Sequence, residues 1–296
     1  MARANVLAVA ILAVACHDAS KDHPAPAVSQ ANVTLTGPPG SVPNVGRQHA
    51  PTVCRAIEAR GALHVEDAGV KPKDVIGDGF IELPEGAHIA VENGTTTRET
   101  LFDGPGAVRA CVGGEEEMWM PAGRFTSVVG AGETPGAEVW IVTPHVVVRY
   151  GSGVQMHVDS TSSQADVKLT AGTAWAFPIG AMTLHDAGTP KEQDGWIEIP
   201  GAGTLTFMSK QAPSQLLGSC EQAAKSAHDL AVAIGTRAEP VGEAAPKHVL
   251  ARRKAHALCS AAELLAVRSL DPVERERLLP RARAANAKWR DSSANP

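Results

Sequence analysis

The chain has 296 residues, a net charge of −5 and only 4% aromatic residues. That length suits one large or two modest domains. No internal stretch approaches the roughly 18 apolar residues of a membrane-spanning helix, and no GxxxxGK[ST] loop, zinc-type Cys/His spacing or nucleic-acid motif occurs, which excludes the commonest members of those classes.

The N-terminus reads MARANVLAVAILAVAC. Arg3 supplies a positive start, Val6 to Val14 an uncharged apolar run, and Ala13-Val14-Ala15 a small-residue triplet directly before Cys16. That order predicts a secretory signal peptide over 1–15, too short to cross a bilayer. The triplet ending in Cys resembles the lipobox of bacterial lipoproteins, with Ala13 where Leu is usual. The resemblance implies cleavage before Cys16 and lipid, palmitate among it, on that residue. Two or three acyl chains hold a membrane far more firmly than one. His17, rather than Asp, follows Cys16, so the class implies an outer-membrane address facing the periplasm.

Residues 16–50 are rich in Pro, Ser, Ala, Asn and Gly and read as a tether. From 51 to 210 short runs alternate apolar and polar residues between Gly, Pro, Asn and Asp. FIEL (80–83), HIAVEN (88–93), AVRACV (107–112), EVWIVT (138–143), HVVVRY (145–150), VQMHV (154–158), DVKLT (166–170) and TAWAF (173–177) read as strands. Their spacing, with no helical stretch between, predicts an antiparallel sandwich or rolled sheet.

This region contains an internal repeat. GALHVEDAG (61–69) matches GAMTLHDAG (180–188), and DGFIELP (78–84) matches DGWIEIP (194–200). Two related β units are expected, over 61–91 and 180–207.

The period turns helical over 214–291. Leu216, Leu217, Cys220, Ala223, Ala224, Ala227, Leu230, Ala231 and Ile234 form one stripe, ended by Gly235. A second helix is expected to open at Pro246 and run to about Leu270. A third opens with Asp271 as N-cap, Pro272 at its first position and Glu274 closing a capping-box-like pair, and Pro280 should kink or shorten it. Pro246 to Arg290 carries 11 basic and 4 acidic residues, which leaves −12 on the remainder. With Cys16 lipidated, Cys54, Cys111, Cys220 and Cys259 remain, and export permits disulfides. Chain order suggests Cys54–Cys111 and Cys220–Cys259, although three pairings exist. Cys220 and Cys259 lie at nearly equal distances from the turn of the helical hairpin, so they should face each other within about 7 Å.

Chemistry-bearing motifs are sparse. Gly130-Ala131-Gly132 is followed by a strand rather than a helix, so it reads as a turn and not a dinucleotide loop. Glu115-Glu116-Glu117 reads as a solvated turn. His248, His256 and Cys259 share a helix at spacings that match no zinc site, and no metal or cofactor is expected. His145 and His157 fall on strands, as surface or core residues. Trp119, Trp140, Trp175 and Trp196 fall on strands and read as core; one at a groove could stack a sugar or peptide. The candidate binding residues are Trp119, Trp140, Arg281, Arg283, Lys288 and Arg290.

The segment 62–208 resembles the FecR-like periplasmic domain, through DGFIELPEGAHIAV (78–91), IVTPHVVVRYGSGVQMHV (141–158) and DVKLTAGTAWAF (166–177). The closest correspondence runs from Val142-Thr143-Pro144 through Val148-Arg149 and Gly151. The resemblance implies a β-rich envelope module that binds protein and carries no catalytic residues. The expected whole is a membrane-anchored lipoprotein, not an enzyme, with an envelope protein or the cell wall as partner and no nucleic acid. Rival readings are an accessory that contacts an outer-membrane receptor and a peptidoglycan or glycan binder that uses the basic tail.

Overall fold

The computed structural model describes residues 54–291, apart from 65–68, 94–97, 113–116, 129–137, 186–189, 202, 210 and 236–240. The expected signal peptide, Cys16, the whole tether and Gly130-Ala131-Gly132 lie outside the described residues. Among the described residues the first half of the chain is all strand: β1 (Cys54–Arg60), β2 (Leu63–His64), β3 (Val75–Ile76), β4 (Ile81–Leu83), β5 (His88–Asn93), β6 (Arg98–Arg109), β7 (Glu117–Val128) and β8 (Val139–Val142). There follow β9 (Val146–Tyr150), β10 (Gln155–Ser160), β11 (Ala165–Ala171), β12 (Ala174–Pro178), β13 (Ala181–His185), β14 (Glu192–Gln193), β15 (Trp196–Glu198) and β16 (Thr204–Met208). Helices α1 (Pro213–Gly235), α2 (Val241–Val267) and α3 (Pro272–Asp291) complete the chain. A β-rich region followed by a helical hairpin and a third helix is thus what the periodicities specify.

All strands join one hydrogen-bonded sheet whose longest path runs β13-β16-β11-β10-β7-β8-β9-β12-β15-β14. Every pairing is antiparallel except β7 with β8, which is parallel, with Glu117 opposite Trp140 and Trp119 opposite Val142. The sheet is therefore mixed, a correction to the antiparallel expectation. Residues from both ends of the path, such as Val167 and Phe207 on one side and Ala174 and Ile197 on the other, share a single core, so the sheet curls around it.

Period-two alternation explains the two faces. On β8, Val139 and Ile141 enter this inner core, while Trp140 and Val142 join a second core beneath the helices. On β9, Val146, Val148 and Tyr150 go inward and Val147 goes to the helices. Both faces of these central strands are buried, which is why β8 and β9 read as nearly continuous apolar runs.

The two repeat copies keep their alternation. Phe80 and its counterpart Trp196 lie in the helix-side core, while Ile81 and Leu83, like Ile197 and Ile199, lie in the inner core. Their pairing differs: β4 lies between β2 and β6, whereas β15 lies between β14 and β12. The β14–β15 connection is the two-residue loop Asp194-Gly195, both with positive φ (53° and 81°), the conformation that Asp-Gly adopts most easily in a hairpin.

The AVRACV run ends as a strand at Arg109, because Cys111 takes a left-handed φ of 55° and turns the chain. It is the end of a twelve-residue strand whose earlier part the alternation did not mark.

The stripe on α1 is buried at Leu216, Leu217, Cys220, Ala223, Ala224, Ala227 and Ala231. Helix α2 begins at Val241, so Pro246 lies inside it rather than at its first turn; the missing N–H removes one hydrogen bond near the helix start. Helix α2 packs against α1, α3 and strands β7, β8 and β9 and is buried on more than one face. Asp271 caps α3 as expected, its Oδ1 accepting from the Val273 N–H at 2.9 Å. Glu274 instead accepts from the Ser269 hydroxyl at 3.0 Å, which replaces the expected capping box. Helix α3 runs unbroken past Pro280. Both suggested disulfides are present, with Cα–Cα distances of 6.2 Å for Cys54–Cys111 and 4.7 Å for Cys220–Cys259.

Candidate functional site

The most concentrated chemistry lies where α2 and α3 cover the start of β7 and β8. Met118 and Met120 point into the inner core, so Glu117 and Trp119 must point to the helices. Glu117 is completely buried. This corrects the reading of it as part of a solvated turn; Glu115 and Glu116 lie outside the described residues. Its Oε1 accepts from the Trp119 indole at 2.7 Å. Its Oε2 accepts from Arg290 Nη2 at 2.9 Å and lies 3.0 Å from His256 Nε2. Burial alone would raise the carboxyl pKa. The charge and hydrogen bond of His256, followed by the charge of Arg290, outweigh burial and hold it far below the usual carboxylate range. Ser260 Oγ, one turn along α2, adds the weakest share; it lies near the carboxylate without a good hydrogen-bonding geometry.

An aromatic stack rises above this cluster. The His256 ring lies between Trp140, at a centroid distance of 3.8 Å, and Trp289, at 4.8 Å, with interplanar angles of 23° and 26°. Trp289 donates to Asn286 Oδ1 at 2.8 Å, and Asn286 donates to Glu263 Oε2 at 2.7 Å. Arg283 Nε reaches the other oxygen of Glu263 at 3.4 Å. These contacts tie β7, β8, α2 and α3 into one polar and aromatic seam.

Beside the stack, Glu138 accepts from two guanidiniums, Arg149 at 2.9 Å and Arg253 at 2.5 Å. Arg149 also lies over the rings of Trp175 and Trp196, at 5.4 and 5.0 Å. Its pKa is lowered, first by burial and then by the positive charge of Arg253, against the opposing pull of Glu138. An open cleft of about 290 Å³ lies here, lined by Glu138, Trp140, Val249, Arg252, Arg253, His256 and Trp289.

The candidate binding residues divide. Trp119 is sealed in the core beneath Arg109, whose guanidinium sits 4.7 Å from its ring, so it offers no platform. Trp140 reaches the cleft. Arg290 is drawn inward to Glu117, Arg283 bonds Glu263, and Arg281 holds Glu221 through two bonds of 2.9 and 2.8 Å. Lys288 lines a shallow cavity with Glu221, Lys225 and Arg281. Three of these four cations of α3 are thus engaged with acids of their own chain. Arg252, Arg253, His256 and Trp289 were not singled out for binding. Residues 249, 252, 253 and 256 recur at helical spacing on one side of α2, and that recurrence is the signal that could have found them.

Elsewhere, Thr143 in the β8–β9 turn is buried, and its hydroxyl accepts from the Val146 N–H at 3.0 Å and the His145 N–H at 3.2 Å. His145 is core and His157 is exposed. His145 accepts from the Ser209 N–H at Nδ1 (3.1 Å), so Nε2 carries the proton that it donates to the Thr161 carbonyl (3.0 Å). Burial lowers its pKa, while the Thr161 carbonyl pulls the other way. Cys259 is bonded to Cys220, which removes it as a metal ligand. No cluster of three His, Cys, Asp or Glu suited to a metal occurs among the described residues. No described helix is long and apolar enough to cross a membrane.

No family model, no curated protein and no solved structure matches the chain.

Proposed function

We propose that the chain is a lipid-anchored binding and scaffolding protein of the bacterial cell envelope, attached through Cys16, with its sheet and helices as the binding module. The observation that carries this reading is the cysteine pairing. Cys54 with Cys111 and Cys220 with Cys259 use four of the five cysteines and leave Cys16 as the odd one, directly after Ala13-Val14-Ala15. Disulfides belong to an oxidising compartment, and the apolar leader ending at Cys16 is a route to one. The resemblance of 62–208 to the FecR-like domain adds a protein-binding role outside the cytoplasm.

The buried Glu117–His256 pair fits a structural role. Both groups are engaged with fixed neighbours and shielded from solvent, so the pair clamps the helices to the sheet. A receptor-contacting accessory is favoured by one feature: among the described residues β13 forms an edge of the sheet, paired on one side only, by β16. Such an edge accepts an added strand from a partner.

The test is metabolic labelling with an alkyne palmitate analogue and detergent phase partitioning, beside Cys16→Ser. Labelled wild type in the detergent phase and unlabelled, aqueous Cys16→Ser are expected. An unlabelled, aqueous wild type would overturn the anchor.

A further inference from the structure

We propose that the cavity between α1, α2 and the end of β12 binds an amide beside a free carboxylate, as at the C-terminus of a peptide or on an N-acylated amino acid with a small apolar side chain. The inference rests on the reading of the chain as a binding module but not on its lipid anchor. A failed Cys16 labelling leaves it standing, and a failed titration leaves the anchor standing.

The cavity holds about 440 Å³, within the ordinary range of ligand sites. Ser219, Gln222 and Ser226 recur at helical spacing and line about 10 Å of α1, the reach of about three extended residues. Phe177, Ile179 and Leu258 also line it and are only 8%, 5% and 8% exposed, so they present a small apolar surface. That surface suits a methyl or isopropyl group and gives no open aromatic face on which a sugar could stack.

The polar lining consists of groups that pair with amides. Gln211 and Gln222 each offer an amide donor and acceptor, and Ser226 a hydroxyl. Among the described residues these three side chains make no hydrogen bond, so each is open to a ligand. The Ser219 hydroxyl donates to the Gln215 carbonyl at 3.3 Å and keeps its lone pairs for a ligand N–H. The sheet adds a further acceptor. The Ile179 N–H donates to the His145 carbonyl, so by antiparallel alternation Pro178, which lines the cavity, turns its own carbonyl to the opposite edge of β12. On that edge β15 pairs with Trp175 and Ala176 and stops short of Pro178, and proline has no N–H, which leaves an acceptor there without a neighbouring donor.

Lys254 on α2 is the charged member of the lining and is exposed, with no ion pair among the described residues. The residues one turn away on α2, Leu250, Ala251, Ala257 and Leu258, include no acid. A single ammonium with no guanidinium among the lining residues suits a monoanion, a carboxylate rather than a phosphate held by a fork. Neutral hydrogen-bonding groups along α1 and one cation on α2 thus match a ligand that ends in an amide and a carboxylate.

The experiment titrates N-acetylalanine, its uncharged methylamide and N-acetyl-trialanine into the purified full chain in detergent, followed by calorimetry and by the backbone N–H resonances of α1. Saturable binding of both acids is expected, with shifts along 219–226 and binding weaker by about tenfold or more for the methylamide. Tighter binding of N-acetyl-trialanine assigns a peptide C-terminus, and no gain over N-acetylalanine assigns an acylated amino acid. Lys254→Gln should reduce N-acetylalanine to the level of the methylamide. Ser226→Trp, at an exposed position of α1, should abolish binding by filling the cavity, while Arg281→Gln leaves it unchanged. Lys254 is exposed and unpaired, so Lys254→Gln folds and decides the matter if Ser226→Trp does not. Acids that bind no better than the methylamide, or that ignore Lys254→Gln, overturn the proposal.

Discussion

The Glu117 carboxylate on β7 meets the His256 imidazole on α2 at 3.0 Å, across 139 residues of chain. Glu117 has no solvent contact, His256 meets the cleft only at its edge, and the pair is completed by Arg290 of α3, so one carboxylate joins the sheet to two helices. Buried ion pairs of this kind contribute little against an apolar replacement, but removing one partner strands the other charges in a dry interior.

Glu117→Gln should therefore cost about 3–5 kcal/mol of unfolding free energy. Gln retains a hydrogen bond for Trp119 but not the charge that Arg290 and His256 face. Urea unfolding of the folded, oxidised protein measures the loss. A change below about 1 kcal/mol would show that the clamp does not hold the helices.

Stability should fall with acid in two stages. The folded pKa of His145 is depressed below its ordinary 6.5, so the unfolded chain takes up this proton more readily. Its contribution is complete above about pH 6.5 and declines as pH drops below that value. His248, lowered by burial and then by Arg252, acts in the same direction. Glu117 is depressed below its ordinary 4.5, so its contribution holds above about pH 4.5 and fades beneath it. Denaturation midpoints from pH 8 to pH 3 should show both declines, and His145→Gln should lessen the first, leaving the share of His248, without changing the second.

Both disulfides should stabilise. Each of Cys54→Ser and Cys220→Ser should lose about 2–4 kcal/mol, because they open loops with sequence separations of 57 and 39. Alkylation of native protein before reduction should label none of Cys54, Cys111, Cys220 and Cys259 in the intact mass.

Two glycines should respond in opposite directions. A Cβ at Gly106 would collide with the Ala122 carbonyl of the neighbouring strand, so Gly106→Ala should destabilise by about 1–3 kcal/mol. A Cβ at Gly218 on α1 meets nothing within 4 Å, so Gly218→Ala should stabilise by about 0.5–1 kcal/mol. Thermal unfolding of the pair tests both signs.

Much of the fold was legible because local rules decided it. HIAVEN is β5 residue for residue, DVKLT lies within β11, and the stripe from Leu216 to Ala231 is the buried face of α1. Cys220 and Cys259 were paired from their distances to a turn, which a helical hairpin converts directly into proximity. Asp271 capped its helix through its own side chain. Each of these follows from a period or from contacts a few residues long.

Glu117, His256, Arg290 and Trp289 were not legible as a group. In sequence Glu117 is the last of three glutamates, and Arg290 is one cation in a basic helix. What buried them is the parallel register of β7 on β8, which sets Glu117 opposite Trp140 on the helix-side face. That register depends on where a strand returns after a ten-residue connection, and nothing local encodes it. Period and capping chemistry, which act over one or two turns, were the sequence's to determine. Which charges lose their water was decided only by the tertiary structure, because burial is a property of the surfaces that close over a residue.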